Sequence, residues 1–136
     1  MPHRRKARRL VPHLVDWYAS HARDLPWRRA RDPYAIWVSE IMLQQTQVTT
    51  VIPYWERWMR ALPTLQKLAL AKPERVLKLW EGLGYYSRAR NLQAAAKEIV
   101  KNHDGQFPRN LAAIRTLPGI GRYTAGAISS IAFGLP

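Results

Sequence analysis

Three features of the sequence predict an all-α fold. Apolar residues recur three and four apart through most of the chain, strand-like alternation is nearly absent, and the breaks coincide with proline, glycine or aspartate. The first predicted helix, near 11–22, follows the basic opening MPHRRKARRL and stops before Asp24-Leu25-Pro26. The second, near 34–45, starts at Asp32-Pro33, with proline early, where the helix needs no amide hydrogen. The third, near 48–61, ends at Leu62-Pro63, and a short fourth, near 64–70, ends before Lys72-Pro73. The fifth, near 73–81, is closed by Gly82-Leu83-Gly84, and the sixth, near 86–102, by Asp104-Gly105. The seventh, near 109–115, lies between Phe107-Pro108 and Leu117-Pro118-Gly119, and the eighth spans about 122–133. Connections are short and there is no long Gly/Ser linker, low-complexity tract or clear repeat, so successive helices are expected to pack on one another.

A chain of 136 residues can bury one sizeable core, so one compact domain is the default. No apolar run reaches the roughly 18 residues that span a bilayer, and the basic opening leads into no signal-peptide core. A soluble intracellular protein is expected, in the cytoplasm or nucleoid if the source is bacterial, with no membrane partner. The absence of cysteine excludes a disulfide, a thiolate nucleophile and cysteine-ligated metal in this chain. His3, His13, His21 and His103 lack metal-ligand spacing, so no metal site is expected. Lys and Arg number 22 against 9 Asp and Glu, a net charge of +13 spread along the whole length. Such a surface suits a polyanion, most often nucleic acid, although a solubilising surface or an anionic membrane would also explain charge alone.

The segment 34–43, YAIWVSEIML, is apolar nearly all round apart from Ser39 and Glu40, which marks an enclosed helix. Enclosure would disfavour the Glu40 carboxylate and raise its pKa toward that of a useful proton donor, unless an arginine pairs with it structurally. The string Gln44-Gln45-Thr46-Gln47 follows; neutral amides suit base edges or a gap in a base stack, and equally a solvated helix face. LPGIGRYTAGAI, 117–128, sets two glycines two apart before an apolar helix, where a tight turn brings bare N–H groups to an anion. With RNLAAIRT before it, this reads as a helix-hairpin-helix unit that grips a phosphodiester backbone without reading sequence, a plain helical turn being the alternative. Gly82-Leu83-Gly84-Tyr85-Tyr86 places bulky side chains on a glycine-rich loop that could wedge into a duplex. Trp27 and Arg28, in DLPWRR, could stack on and orient an extrahelical base. Each aromatic feature could also be loop packing.

WVSEIMLQQTQV, GLGYYSRARNLQ and LPGIGRYTAGAI, in this order and spacing, resemble the adenine-specific DNA glycosylases of the helix-hairpin-helix (endonuclease III) superfamily, from about Leu10 to the last residue. That family removes adenine mispaired with 8-oxoguanine or guanine during base excision repair. The resemblance implies a helix-hairpin-helix glycosylase fold: a six-helix module over 25–136 with its hairpin near 109–133, and a helix at 10–24 belonging to an incomplete second, iron-sulfur domain. Residues 1–9 are expected to form a basic, disordered tail. By motif, Glu40 resembles the catalytic glutamate that protonates the departing adenine and later helps water attack. Gln45 and Thr46 resemble the pair that fills the disturbed stack on the 8-oxoguanine side, and Leu83 and Tyr85 the loop residues that probe the oxidised guanine. Leu25, Trp27, Arg28 and Val48 fall where the family lines its adenine pocket, Gly119, Gly121 and Arg122 where the hairpin holds the DNA backbone, and Tyr123 near the reacting sugar.

Lyase-competent relatives similar to endonuclease III carry a lysine at the position of Tyr123; a tyrosine forms no Schiff base, which implies monofunctional hydrolysis. The sequence departs from the family in stopping before the partner aspartate, the four-cysteine motif of the [4Fe-4S] cluster and the C-terminal domain. The expectation is an N-terminal fragment, inactive alone for want of that aspartate, with apolar surface exposed at Leu14, Val15, Trp17 and Tyr18. The full-length protein is expected to act as a monomer on double-stranded DNA holding A:8-oxoguanine or A:G mismatches, with no cofactor held by this chain. Two other readings stand beside it: a non-catalytic helix-hairpin-helix DNA-binding module, and a pyrimidine-directed glycosylase of the same superfamily.

Overall fold

The computed structural model describes residues 32–44 and 46–134. The basic tail, the predicted helix near 11–22 and the exposure expected at Leu14, Val15, Trp17 and Tyr18 lie outside them, as do Leu25, Trp27, Arg28 and Gln45. The described residues form seven helices and no strand: α1 (Pro33–Leu43), α2 (Val48–Ala61), α3 (Leu65–Leu70), α4 (Pro73–Trp80), α5 (Ser87–Asn102), α6 (Leu111–Arg115) and α7 (Arg122–Phe133). No described helix is long and apolar enough to cross a membrane.

The ends follow local chemistry. Asp32 caps α1 by accepting from the Tyr34 amide, with Pro33 at the first position. Thr64 caps α3 by accepting from the Lys67 amide. Asn110 accepts from the amides of Ala112 and Ala113, so α6 begins two residues later than the pattern alone suggests. At its far end α7 stops at Gly134, whose φ of 66° is in the left-handed region that glycine tolerates.

Helix α1 is packed between α2 and α7, α5 between α3 and α4, and α2 also meets α4. Trp37, Trp58 and Trp80 are fully buried, with Trp58 and Trp80 edge to face at 5.8 Å. Their polar edges are mostly engaged: the Trp58 Nε1–H donates to the Tyr34 hydroxyl at 3.0 Å, which donates to the Leu62 carbonyl at 2.6 Å. Burial pushes the Tyr34 phenol well above its usual range, so it stays a neutral donor. Buried Gln93 on α5 donates to the carbonyls of Leu68 and Ala71, closing the end of α3.

Candidate active site and nucleic-acid interface

Every residue of α1 from Tyr34 to Met42 is buried, as its almost wholly apolar composition demands. Ser39 satisfies itself locally, its hydroxyl donating to the Ile36 carbonyl at 2.6 Å. Glu40, the one acid of α1, is only 8% exposed, three residues before the helix ends. The main chain at that end closes through the Gln44 amide on the Ile41 carbonyl. The end is then tied to two other segments.

The first tie is to the hairpin. The Gln44 side-chain amide donates to the Thr124 hydroxyl at 3.1 Å, joining the end of α1 to the first turn of α7. The hairpin consists of α6, a turn through Leu117 and Ile120, both buried, and α7. Gly119 has φ +78°, and a Cβ there would lie 2.7 Å from the Cβ of Asn91 on α5, so glycine serves both the turn and the close docking. Gly121 behaves differently from the sequence expectation: its φ is −89° and nothing lies within 4 Å of where a Cβ would be. The fold itself does not require glycine there. What it leaves is bare backbone, exposed, immediately before α7. At the start of that helix Arg122 and Tyr123 face solvent, Tyr123 at 70% exposure, beside buried Thr124.

The second tie is to the 82–85 loop. Gly82 (φ +104°) lies where a Cβ would collide with the Tyr54 hydroxyl, and Gly84 (φ +73°) precedes Tyr85, itself at φ +49°. Such a value is uncommon for a non-glycine residue and marks a locally imposed turn. The Trp80 indole donates to the Gly84 carbonyl at 2.9 Å and pins that turn. Tyr85 stands 66% exposed, whereas Leu83 is turned into the core at 8%. The sequence left the bulky side chains of this loop open between a wedge and loop packing; the sharp reversal at two glycines sends Leu83 inward, where burying it is favourable, and Tyr85 out. Thr46 and Val48, beyond the end of α1, are half-buried.

Arg88, at the start of α5, joins these segments. Its Nη1 donates to the carbonyls of Ile41 and Gln44, each at 2.7 Å, and its Nη2 to those of Leu83 at 3.2 Å and Gly84 at 3.4 Å. The guanidinium carbon lies 5.2 Å from the ring centre of Trp80 and 5.7 Å from that of Tyr85. Partial burial lowers its pKa, and Tyr85 raises it slightly in return. Arg88, Gln44 and Thr124 escape a reading of residue types alone, because their partners are distant in sequence; the only signal was that they sit inside or beside quoted motifs.

Taken together, a nearly enclosed acid on α1 ends at a junction where an exposed aromatic loop and an exposed glycine turn converge through two side-chain ties. A shielded acid can hold and deliver a proton, and bare amides at a helix start can face a phosphate. The chain contains no cysteine, so its residues do not fit the thiolate-held cluster implied above. Among the described residues no group of His, Asp and Glu could hold a metal ion.

Residues 38–129 match the HhH-GPD superfamily of base excision DNA repair proteins. The adenine DNA glycosylases of Rattus norvegicus and Homo sapiens are each 55% identical to the chain over 130 residues, covering 89% of it and 25% and 24% of their own lengths. That of Buchnera aphidicola subsp. Baizongia pistaciae is 47% identical over 123 residues, covering 90% of the chain and 35% of its own length. The chain therefore spans about a quarter to a third of the length of these curated relatives. A thermostable thymine-DNA glycosylase structure superposes with a TM-score of 0.77 at 29% identity, covering 98% of this chain and 62% of that one. Endonuclease III trapped as a covalent intermediate on DNA superposes at 0.74 with 25% identity, covering 77% and 50%. With the family match extending over well more than half of its residues and across both the Glu40 helix and the hairpin, the chain belongs to the HhH-GPD superfamily of base excision DNA repair proteins.

Proposed function

We propose that the chain serves a monofunctional adenine DNA glycosylase that hydrolyses the glycosidic bond of adenine opposite 8-oxoguanine or guanine in double-stranded DNA. The observation that carries this is the 8% exposure of Glu40 at a helix end tied to both the hairpin and the 82–85 loop. The 55% identity to adenine DNA glycosylases supports adenine over the pyrimidine reading, whose structural neighbour reaches 29%. Adenine's glycosidic bond is hidden in the stack, so the base must first be swung out, at a cost of about a few kcal/mol that is lower at a mismatch. Bond breaking then develops positive charge on the sugar while the leaving base needs a proton. In this reading Glu40 supplies that proton, and Leu25, Trp27, Arg28 and Val48 line the base pocket. Gln45 and Thr46 fill the gap in the stack, Leu83 and Tyr85 probe the opposite base, and Gly119, Gly121 and Arg122 hold the backbone. For Leu83 that role requires the side chain to leave the core on binding. Tyr123, near the sugar, offers no amine for a Schiff base, so the product is an abasic site and an intact strand.

Full-length protein incubated with a duplex holding adenine opposite 8-oxoguanine tests this. Strand breaks are expected only after hot alkali. Glu40→Gln is expected to slow base release by about 10²- to 10⁴-fold, the usual contribution of general acid catalysis, with DNA binding and melting temperature retained. An unchanged rate in that variant would leave the non-catalytic DNA-binding module standing instead. Breaks before alkali would overturn the role given to Tyr123, and faster release from a thymine mismatch would favour the pyrimidine reading.

A further inference from the structure

Arg88 donates to four main-chain carbonyls, two more than 40 residues away and two in the turn just before its own helix. The four acceptors fall in two groups: Ile41 and Gln44 close the helix that carries Glu40, while Leu83 and Gly84 form the turn that presents Tyr85. The carbonyl end of a helix attracts a cation, and a forked guanidinium can serve two segments at once from a rigid plane. Two rings lie against it, buried Trp80 at the end of α4 and exposed Tyr85 on the loop. Among the described groups Arg88 Nε finds no acceptor, so the side chain is held from its Nη end. A lysine would bring one point of charge on a flexible stem and could not span both groups in this geometry.

We propose that Arg88 is a positioning residue that couples the 82–85 loop to the end of the Glu40 helix, so that what Tyr85 meets on the DNA decides how that helix end is set. This rests on the glycosylase reading above and assigns Arg88 to opposite-base discrimination. If loop and helix end move as one, an opposite base that displaces Tyr85 shifts the carbonyls of Leu83 and Gly84, and through Arg88 those of Ile41 and Gln44. Misplacement of about 1 Å at the reacting group costs on the order of a hundredfold in rate, so a small shift is enough to separate the two mismatches.

The test uses the full-length protein and four forms: wild type, Arg88→Lys, Tyr85→Leu and the double variant. Single-turnover adenine release is measured opposite 8-oxoguanine and opposite guanine, alongside melting temperature. Arg88→Lys is expected to reduce the preference between the two opposite bases by about tenfold, and Tyr85→Leu to add little in that background, because residues acting through one another are not additive. Preference retained in Arg88→Lys, or effects of the two changes that simply multiply, would overturn the coupling. If Arg88→Lys does not fold, Arg88→Gln takes its place; failure of both to fold makes Arg88 a residue of the fold and overturns the proposal as well. Amide hydrogen exchange gives a readout independent of catalysis: peptides over 41–48 and 82–87 are expected to exchange faster together in the variant, and acceleration of one alone would count against the coupling. Absence of adenine release by wild type together with joint acceleration in the variant would remove the glycosylase reading and leave the coupling intact.

Discussion

Of the two hairpin glycines, two positions apart, the fold requires one and leaves the other free to vary. At Gly119 a side chain meets both a left-handed backbone, φ +78°, and the Cβ of Asn91 at 2.7 Å. Gly119→Ala is therefore expected to destabilise the protein by about 1–3 kcal/mol, visible as a lowered melting temperature. At Gly121 the backbone is ordinary and the space is open. Gly121→Ala is expected to cost less than about 1 kcal/mol, a capping effect, while weakening DNA binding, because a methyl group would stand where a phosphate approaches the bare amides. Melting temperature and duplex affinity measured on the same two proteins give opposite rankings if this holds. Equal losses of affinity in both, scaling with lost stability, would make the hairpin a structural turn only. Glycine type alone did not distinguish the two positions, because only one of them is set against another helix.

For helix α1, the placement of Glu40 depends on where the helix starts and stops, and the start is a half-buried carboxylate. Burial raises the Asp32 pKa, with the amides of Tyr34 and Ala35 pulling it partly back. A carboxyl whose folded value is raised favours folding fully below its ordinary value of 3.8 and loses that contribution as pH rises through the folded value. Asp32→Asn keeps an acceptor for the Tyr34 amide and does not ionise. The melting temperature of Asp32→Asn relative to wild type is thus expected to rise from acid to neutral pH; the opposite slope would mean that the charge is stabilised in the fold. The elements themselves were legible because their ends are chemical: Asp32-Pro33, Pro63-Thr64, Pro73 and the Gly82-Leu83-Gly84 turn all delimit helices within two residues of the pattern. The enclosure of α1 was legible too, since a helix apolar all round has nowhere else to go. What the pattern could not supply was the inward turn of Leu83 and the span of Arg88. The span of Arg88 reaches acceptors more than 40 residues away, at Ile41 and Gln44, in a segment whose own residue types carry no mark of the contact, and the burial of Leu83 comes from its place in the common core.

For the whole molecule, the basic residues recur along the chain but the acids do not. The described acids after Glu40 are Glu56, Glu74, Glu81, Glu98 and Asp104, and from Gly105 to the end there is none, while Arg109, Arg115 and Arg122 lie in that stretch. The segments 41–47, 83–91 and 117–124, which meet around the end of α1, likewise contain no acid. A basic surface bound to duplex DNA releases condensed counterions, so affinity falls linearly on a log–log plot against salt, with a slope of about −0.9 for each phosphate contact. If the hairpin is the backbone grip, Arg122→Ala removes one such contact and is expected to make the slope shallower by about one. Lys78 is the matched control: it is a solvent-exposed cation on α4, 3.6 Å from Glu81, whose charge already offsets it. Lys78→Ala is expected to leave the slope unchanged. The measurement is the dissociation constant of full-length protein for a mismatched duplex over a series of salt concentrations. Equal flattening by the two substitutions would show that binding reads the net charge of the molecule rather than a phosphate contact at the hairpin, and the hairpin would lose its special place.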